Sequence, residues 1–321
     1  MAEQQRVFHH KARGAHRDQE IIDLCDLCGE FIFTARSADS SASQHVIDLH
    51  LHTTASDGAL APPELVRRAS LAGLTIISIT DHDTIAGLAA AEPAARGAGV
   101  ELVPGIEITA VADGRDVHML GYFIDAASAS LATFLAGQRA DRVRRVSAMA
   151  ERLAALGYPI DAAPMLADAA RGRSVGRPQV ATALLRAGHV RSHDEAFARF
   201  LEHGRAAFVP RQGMSPVDVI AIVHGAGGLA SLAHPGLSAR DDLIPALADA
   251  GLDAIEVRHP DHDDDMEARY RDLARRHGVA VTGGSDFHAD NGGEHHAGTL
   301  GAIMLPREDY ERLRARRRPH A

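Results

Sequence analysis

The sequence predicts an α/β fold, a barrel-like body of about seven strands interrupted by a helical module. Strand-like and helix-like segments alternate from residue 46 to 125 and again from 213 onward. Residues 126–212 show helical spacing only. Nearly every predicted strand ends in a histidine or a carboxylate.

The first strand lies in "VIDLHLHTTASDG" (46–58), where Ile47, Leu49 and Leu51 alternate with Asp48, His50 and His52. One face is therefore apolar and the other carries an acid and two imidazoles. Taken alone, a His-x-His is more often the wet face of a strand than a metal site. "PPELVRRASLAG" (62–73) opens on prolines and closes on glycine, as a helix does. "LTIISITDHD" (74–83) reads as a buried strand ending in acid and imidazole, and "GLAAAEPAARGAG" (87–99) as a helix interrupted by proline. "VELVPGIEITAV" (100–111) and "DVHMLGYFI" (116–124) are two further strands. The module follows, with "LATFLAGQRADRVRRVSAMAERLAALG" (131–157) as its longest helix. Alternation then resumes: helix 215–227, strand "GLASLAHPG" (228–236), helix 241–250, strand "DAIEVRH" (253–259), helix 263–277 and strand "VAVTGGSDFH" (279–288). The expected division is an arm (1–45), a barrel (46–125 and 213–321) and an inserted helical module (126–212). The arm ends in the linker-like "ARSADSSASQ" (35–44) and reads as flexible.

Composition narrows the function classes. The net charge of −9 argues against a broad nucleic-acid surface, but the charge is uneven: residues 126–213 hold 13 Arg against 7 acidic residues. A basic module beside an acidic body suits an anionic substrate held over cations. No apolar run reaches membrane-spanning length and no signal-peptide core follows the N-terminus, so the expected location is cytoplasmic. Cys25 and Cys28 form a lone C-x-x-C with no second pair, which reads as part of a short amphipathic segment.

The strand-end residues form a set: His50, His52 and Asp57; Asp81 and His82; Glu107; His118; His234; Asp286 and His288. In α/β barrels the C-terminal strand ends converge on one mouth, and scattered surface histidines have no reason to choose that position. Imidazole and carboxylate without thiolate suit Mn²⁺, Zn²⁺, Fe²⁺ or Mg²⁺. The set exceeds one ion's needs and implies roughly two or three, with Glu107 able to bridge a pair. His259, His262, His295 and His296 read as solvated loop residues near the mouth, and His224 and His277 as structural helix residues.

"DLHLHTTASDG", "SITDHD", "PGIEIT", "HMLGY", "LAHP" and "GSDFH" together resemble the polymerase and histidinol phosphatase (PHP) superfamily, over about residues 46–290 and in order. The resemblance implies a distorted seven-stranded barrel, a trinuclear site, manganese foremost, and phosphoesterase activity. The module and "SVGRPQVATALLRAGHV" (174–190) are similar to bacterial phosphatases of 3′,5′-bisphosphonucleotides, some of whose relatives trim short RNA from its 5′ end. That pattern usually reads G-R-P-H, and Gln179 departs from it. The resemblance places one ion on His50, His52, Glu107 and Asp286, a second on Glu107, His118 and His234, and a third on Asp57, His82 and His288. Asp81 is then a proton-handling group, or an acid that fixes His82 by hydrogen bonding.

Hydrolysis of an anionic ester needs cations at the phosphoryl oxygens and a water of lowered pKa. The substrate expected is a phosphorylated small molecule, a nucleotide or short RNA, with no membrane and no obligate protein partner. Arg177, Arg139 and, behind them, Arg211 are the candidates for holding a second phosphate. A histidinol-phosphate phosphatase is the nearest alternative. An inert barrel kept for assembly is the alternative of another class.

Overall fold

Seven strands lie in one sheet in chain order: β1 (Val46–Leu51), β2 (Leu74–Ile79), β3 (Glu101–Ala112), β4 (Arg115–Tyr122), β5 (Leu229–Leu232), β6 (Ala254–Arg258) and β7 (Ala280–Gly283). The structure is a computed structural model that describes residues 46–290 and 299–317. The N-terminal arm with its cysteine pair, and the His295–His296 pair, lie outside the described residues. Beyond β7 the chain returns to β1: Leu51 bridges Phe287, and the His52 amide donates to the Phe287 carbonyl at 3.0 Å. The result is a distorted seven-stranded barrel, the shape that the resemblance implies.

Pairing is parallel except around β4, which runs antiparallel to both β3 and β5. The cause is local. Asp113 and Gly114 join β3 to β4 with φ of 50° and 73°, the left-handed pair that closes a tight hairpin and leaves no room for a crossover helix. His118 therefore does not arrive from a C-terminal strand end. It comes from the middle of a reversed strand, opposite Thr109 and near Glu107.

The β1 alternation holds, but neither face is wet. Ile47 and Leu49 join the main core and Leu51 a second cluster with the first two helices, while Asp48, His50 and His52 are also fully buried. Helix α1 (Pro62–Leu71) starts with proline at its first turn and buries Leu65, Val66 and Ala69. Burying Leu65 or Val66 contributes about 1.5–3 kcal/mol. Helix α2 (Leu88–Ala98) runs through Pro93 without ending there.

Helix α3 (Ala129–Ala155) serves two cores. Its first turns place Leu131 and Leu135 in the barrel core, and its last turns place Val146, Met149 and Leu153 in a separate cluster reaching to Val209. That second cluster also takes Met165 from α4 (Ala163–Ala170) and Val180 and Leu184 from α5 (Arg177–Arg186). Between the cores α3 buries Gln138, Asp141, Arg142 and Arg145. Those polar residues make the joint between barrel and helices.

Candidate metal centre

At the mouth the strands assemble three overlapping groups. His50, His52, Glu107 and Asp286 form one, His52, Asp57, His82 and His288 another, and His82, Glu107 and His118 the third. Within each group the donor atoms lie within 4.8 Å of one another. His234 adjoins the third, its Nε2 3.1 Å from Glu107 Oε1. All nine residues singled out from the sequence as ligands are thus brought together.

Glu107 is the hub. Its Oε2 is 3.4 Å from His50 Nε2, 3.3 Å from His52 Nε2 and 3.0 Å from His82 Nδ1, and its Oε1 is 2.8 Å from His118 Nδ1. Asp286 Oδ1 lies 3.3 Å from His50 Nε2 and 3.0 Å from His52 Nε2. Asp57 faces His82 at 3.6 Å and His288 at 3.4 Å. Despite these approaches, His50 Nε2, both nitrogens of His52, Asp57 Oδ1, His82 Nδ1, Glu107 Oε2, His118 Nδ1, His234 Nδ1 and Asp286 Oδ1 are buried without a properly directed hydrogen bond. Orphaned buried polar atoms are costly. Atoms that converge at such spacing without bonding each other are arranged to share a cation.

The electrostatics agree. Burial opposes charge on Glu107, yet His82, His118 and His50 hold its carboxyl well below the usual range. Burial likewise opposes charge on His52, yet Asp286 and Glu107 hold its imidazole up to about 10. Asp57 is lowered by His82 and His288 against its burial. Carboxylates that hold protons on imidazoles this firmly would hold divalent cations in their place. Two members occupy strained backbone, His234 at φ 22° and Asp286 at φ 48°. Strain of this kind concentrates at functional sites.

Supporting residues fix the ring. Glu256 on β6 takes His50 Nδ1 at 2.9 Å on one oxygen and the His234 amide at 2.8 Å on the other. This leaves His50 Nε2 facing the centre, the usual way a carboxylate orients a ligating imidazole. Asp48 accepts from the Ser285 hydroxyl at 2.6 Å and amide at 2.9 Å, tying β1 to the Asp286 segment. Its carboxyl is pushed up to about 6 by burial, against those hydrogen bonds. The same tie needs Gly284, where a Cβ would come within 2.4 Å of the His50 amide nitrogen. His259, expected in solvent, is fully buried, with Nε2 3.3 Å from Asp286 Oδ2. His262 is also buried, its Nδ1 on the Val257 carbonyl and its Nε2 accepting from the Gly236 amide. Both are packed because the chain after β6 lies against the segments of Gly236 and Asp286. The signal for Glu256 was a lone acid between Ile255 and Val257.

Asp81 is buried, but its contacts differ from those expected. Its carboxylate accepts from the Thr53 amide (2.8 Å), the Thr53 hydroxyl (2.7 Å) and the Ser56 hydroxyl (2.6 Å). It staples the loop that carries Asp57. Gln179 pins the same loop from the module, donating to the Ser56 carbonyl at 3.0 Å while accepting from the Gly176 amide at 2.8 Å.

The arginines expected at a second phosphate have other surroundings. A cavity of about 770 Å³ runs from Glu107, His118 and His288 to the module, and neither Arg177, Arg139 nor Arg211 lines it. Arg211 is buried and paired with Asp83 (3.2 Å) and Asp116 (3.5 Å). Arg177 pairs with Asp116 at 3.2 Å, and Arg139 is half-buried on α3. Arg177 and Arg211 answer carboxylates within the chain, which sequence spacing does not reveal.

Comparison with known proteins agrees with the geometry. Residues 48–167 match the PHP domain. The chain is 35% identical over 249 residues to a 5′-3′ exoribonuclease of Haemophilus influenzae, covering 75% of this chain and 89% of that protein. It is 34% identical over 254 residues to a 3′,5′-nucleoside bisphosphate phosphatase of Chromobacterium violaceum, covering 77% and 88%. Among solved structures, one described as a metal-dependent phosphoesterase from Bifidobacterium adolescentis superposes with a TM-score of 0.77 at 35% identity, over 86% of this chain and 97% of that one. With its barrel, its ring of imidazole and carboxylate and these relatives, the chain belongs to the PHP family and is a metal-dependent hydrolase of phosphoester bonds.

Proposed function

We propose that this enzyme removes the 3′-phosphate from 3′,5′-bisphosphonucleotides. The observation that carries the reading is the cavity, whose floor is the ring and whose far wall is the helical module. A single small phosphate would not need its length, and about 770 Å³ lies within the range for small-molecule sites. The bisphosphate phosphatase among the relatives supports the same substrate class.

His50, His52, Glu107 and Asp286 would hold one ion, Glu107, His118 and His234 a second, and Asp57, His82 and His288 a third, with manganese the first choice for this donor set. Bound divalent metal supplies charge to offset the phosphoryl oxygens and lowers the pKa of water. The chain's own part is positioning. Glu256 fixes the tautomer of His50, and Asp48 with Ser285 sets the position of Asp286. Asp81 and Gln179 hold the Asp57 loop from opposite sides. His82, His118 and His288 are partly open to the cavity and face the substrate.

The test compares kcat/KM for a 3′,5′-bisphosphonucleotide, histidinol phosphate and a short 5′-phosphorylated RNA, with metal content measured on the same preparation. Preference for the bisphosphonucleotide is expected. A faster reaction on histidinol phosphate or on RNA would reassign the substrate, and metal-free protein as isolated would favour an inert barrel. No helix among the described residues is long and apolar enough to cross a membrane.

A further inference from the structure

The ring is supported from two sides. Glu256 on β6 holds His50, and Asp48 on β1 holds the Asp286 segment through Ser285. His118 lies in β4 opposite Thr109, and its carbonyl accepts from the Ala233 amide at 3.0 Å, so the sheet itself sets it. Asp57 and His82 sit instead on loops beyond the ends of β1 and β2. The His82 loop keeps a backbone bridge to β3 at Glu107, and Asp81 holds the Asp57 loop from the barrel side. The helical module grips both loops from the other side.

The grip comes from residues 172–179, which run from the end of α4 into the first turn of α5. On the Asp57 loop, the Ser174 amide donates to the Ala55 carbonyl at 2.8 Å, and Gln179 Nε2 donates to the Ser56 carbonyl at 3.0 Å. On the His82 loop, the buried Thr84 hydroxyl donates to the Gly172 carbonyl at 2.8 Å. Asp83, next to His82, accepts from Arg142, whose Nη1 also donates to the Val175 carbonyl at 3.1 Å. Gly176 makes room for that guanidinium, since a Cβ there would come within 2.9 Å of Nη1. One short stretch of the module thus ties two loops together, within two residues of Asp57 on one side and of His82 on the other.

We propose that residues 172–179 are the positioning element of the third metal position, with Thr84 and Gln179 setting the separation of Asp57 and His82 through them. The proposal rests on the three-ion reading above. Asp57 Oδ2 and His82 Nε2 stand 3.6 Å apart, too far for a hydrogen bond to fix that spacing. A metal tolerates little error in ligand position, so the residues that orient its ligands govern its affinity. The first two positions are then properties of the barrel, and the third is a joint property of barrel and module. An order of loss follows: loosening the tie releases one ion and leaves the others.

The test counts metal. Enzyme loaded with Mn²⁺ is dialysed against graded chelator, bound equivalents are measured by elemental analysis, and denaturant unfolding is followed on the same preparations. Thr84→Val removes the hydroxyl with little change of shape. It should shed one equivalent at roughly tenfold lower chelator while the others are retained. Thr84→Ser, which keeps the hydroxyl, should behave as the wild type. Gln179→Ala, a trim of a half-buried side chain, is the second arm should Thr84→Val fail to fold, and should release the same equivalent. Asp57→Asn, which weakens a ligand of that ion directly, marks which equivalent it is. Parallel loss of every equivalent would make the tie a general support and overturn the proposal. Release unchanged in both Thr84→Val and Gln179→Ala would overturn it too, leaving the three-ion reading intact. Wild-type enzyme that never holds more than two equivalents would instead remove that reading itself, before any variant is made.

Discussion

The ring at the barrel mouth and the arginine joint below the module are both buried and both charged, yet they are satisfied in opposite ways. In the joint, Arg142 donates through Nε to Asp83 at 2.8 Å and through Nη1 to the Val175 carbonyl at 3.1 Å, and Arg211 approaches the same Asp83 oxygen. Asp83 in turn accepts from the Thr109 amide, and its carboxyl stays below its usual value because Arg142 and Arg211 outweigh burial. In the ring, carboxylates and imidazoles stand equally close but leave most of their inward atoms unbonded. Burial and charge do not separate structure from function here. The number of atoms left without a hydrogen bond does: nine in the ring, against Arg145 Nη2 and Arg211 Nε in the joint. Charges paired within the chain hold two cores together, and charges left incomplete are built for something the chain does not supply.

This comparison can be broken at several points. Removing divalent metal with a strong chelator should abolish phosphatase activity and return it on metal addition; activity surviving in metal-free protein would sink the metal reading. Glu107→Gln should follow closely, lowering kcat by roughly a hundredfold to a thousandfold. It should also lose bound metal, since Glu107 touches five imidazoles of the ring. Wild-type metal content in that variant would remove Glu107 as the hub. Arg142→Ala should act on stability instead, because it leaves the fully buried Asp83 short of a partner. A loss of about 3 kcal/mol in denaturant unfolding is expected. If unfolding is unchanged and metal is lost, the joint and the ring have been assigned the wrong way round.

Gln179→Ala should have the smallest effect. Two neutral hydrogen bonds vanish, worth about 1 kcal/mol each at most. Metal retention under graded chelation should fall by roughly tenfold, the low end for a residue supporting a ligand. Gln179→His, which restores the commoner residue of the resembling family, tests whether a ring donor can make the same bond to Ser56. If Gln179→Ala leaves metal retention unchanged, Asp81 alone holds the loop.

The legibility of the site follows from its chemistry. Ligands for hard cations must be histidine or carboxylate, and a barrel delivers them at strand ends, so the sequence exposes both type and position. His50 and His52 in alternation with Ile47, Leu49 and Leu51 are visible for that reason. Supporting residues are harder to see. Glu256 and His259 are single polar residues whose meaning depends on strands and loops far away in the chain. Asp48 shares a face with His50 and His52, but its partner Ser285 lies 237 residues further along the chain. Arg177 and Arg211 mislead for the same reason. Thirteen arginines in one module announce an excess of positive charge, not which of them a carboxylate has already taken.

Local sequence determined the strands, the first two helices and the residue types of the ring, because alternation, helix-start prolines and closing glycines act within a few neighbours. It also carried the Asp113-Gly114 hairpin, whose backbone dihedrals reverse β4. Only the tertiary structure decided which charges meet. The passage of α3 through two cores buries Arg142, Arg145 and Asp141 at the joint, and this sets Arg177 and Arg211 on Asp83 and Asp116. Coulomb pairing and burial depend on distances across the fold, which no spacing along the chain contains.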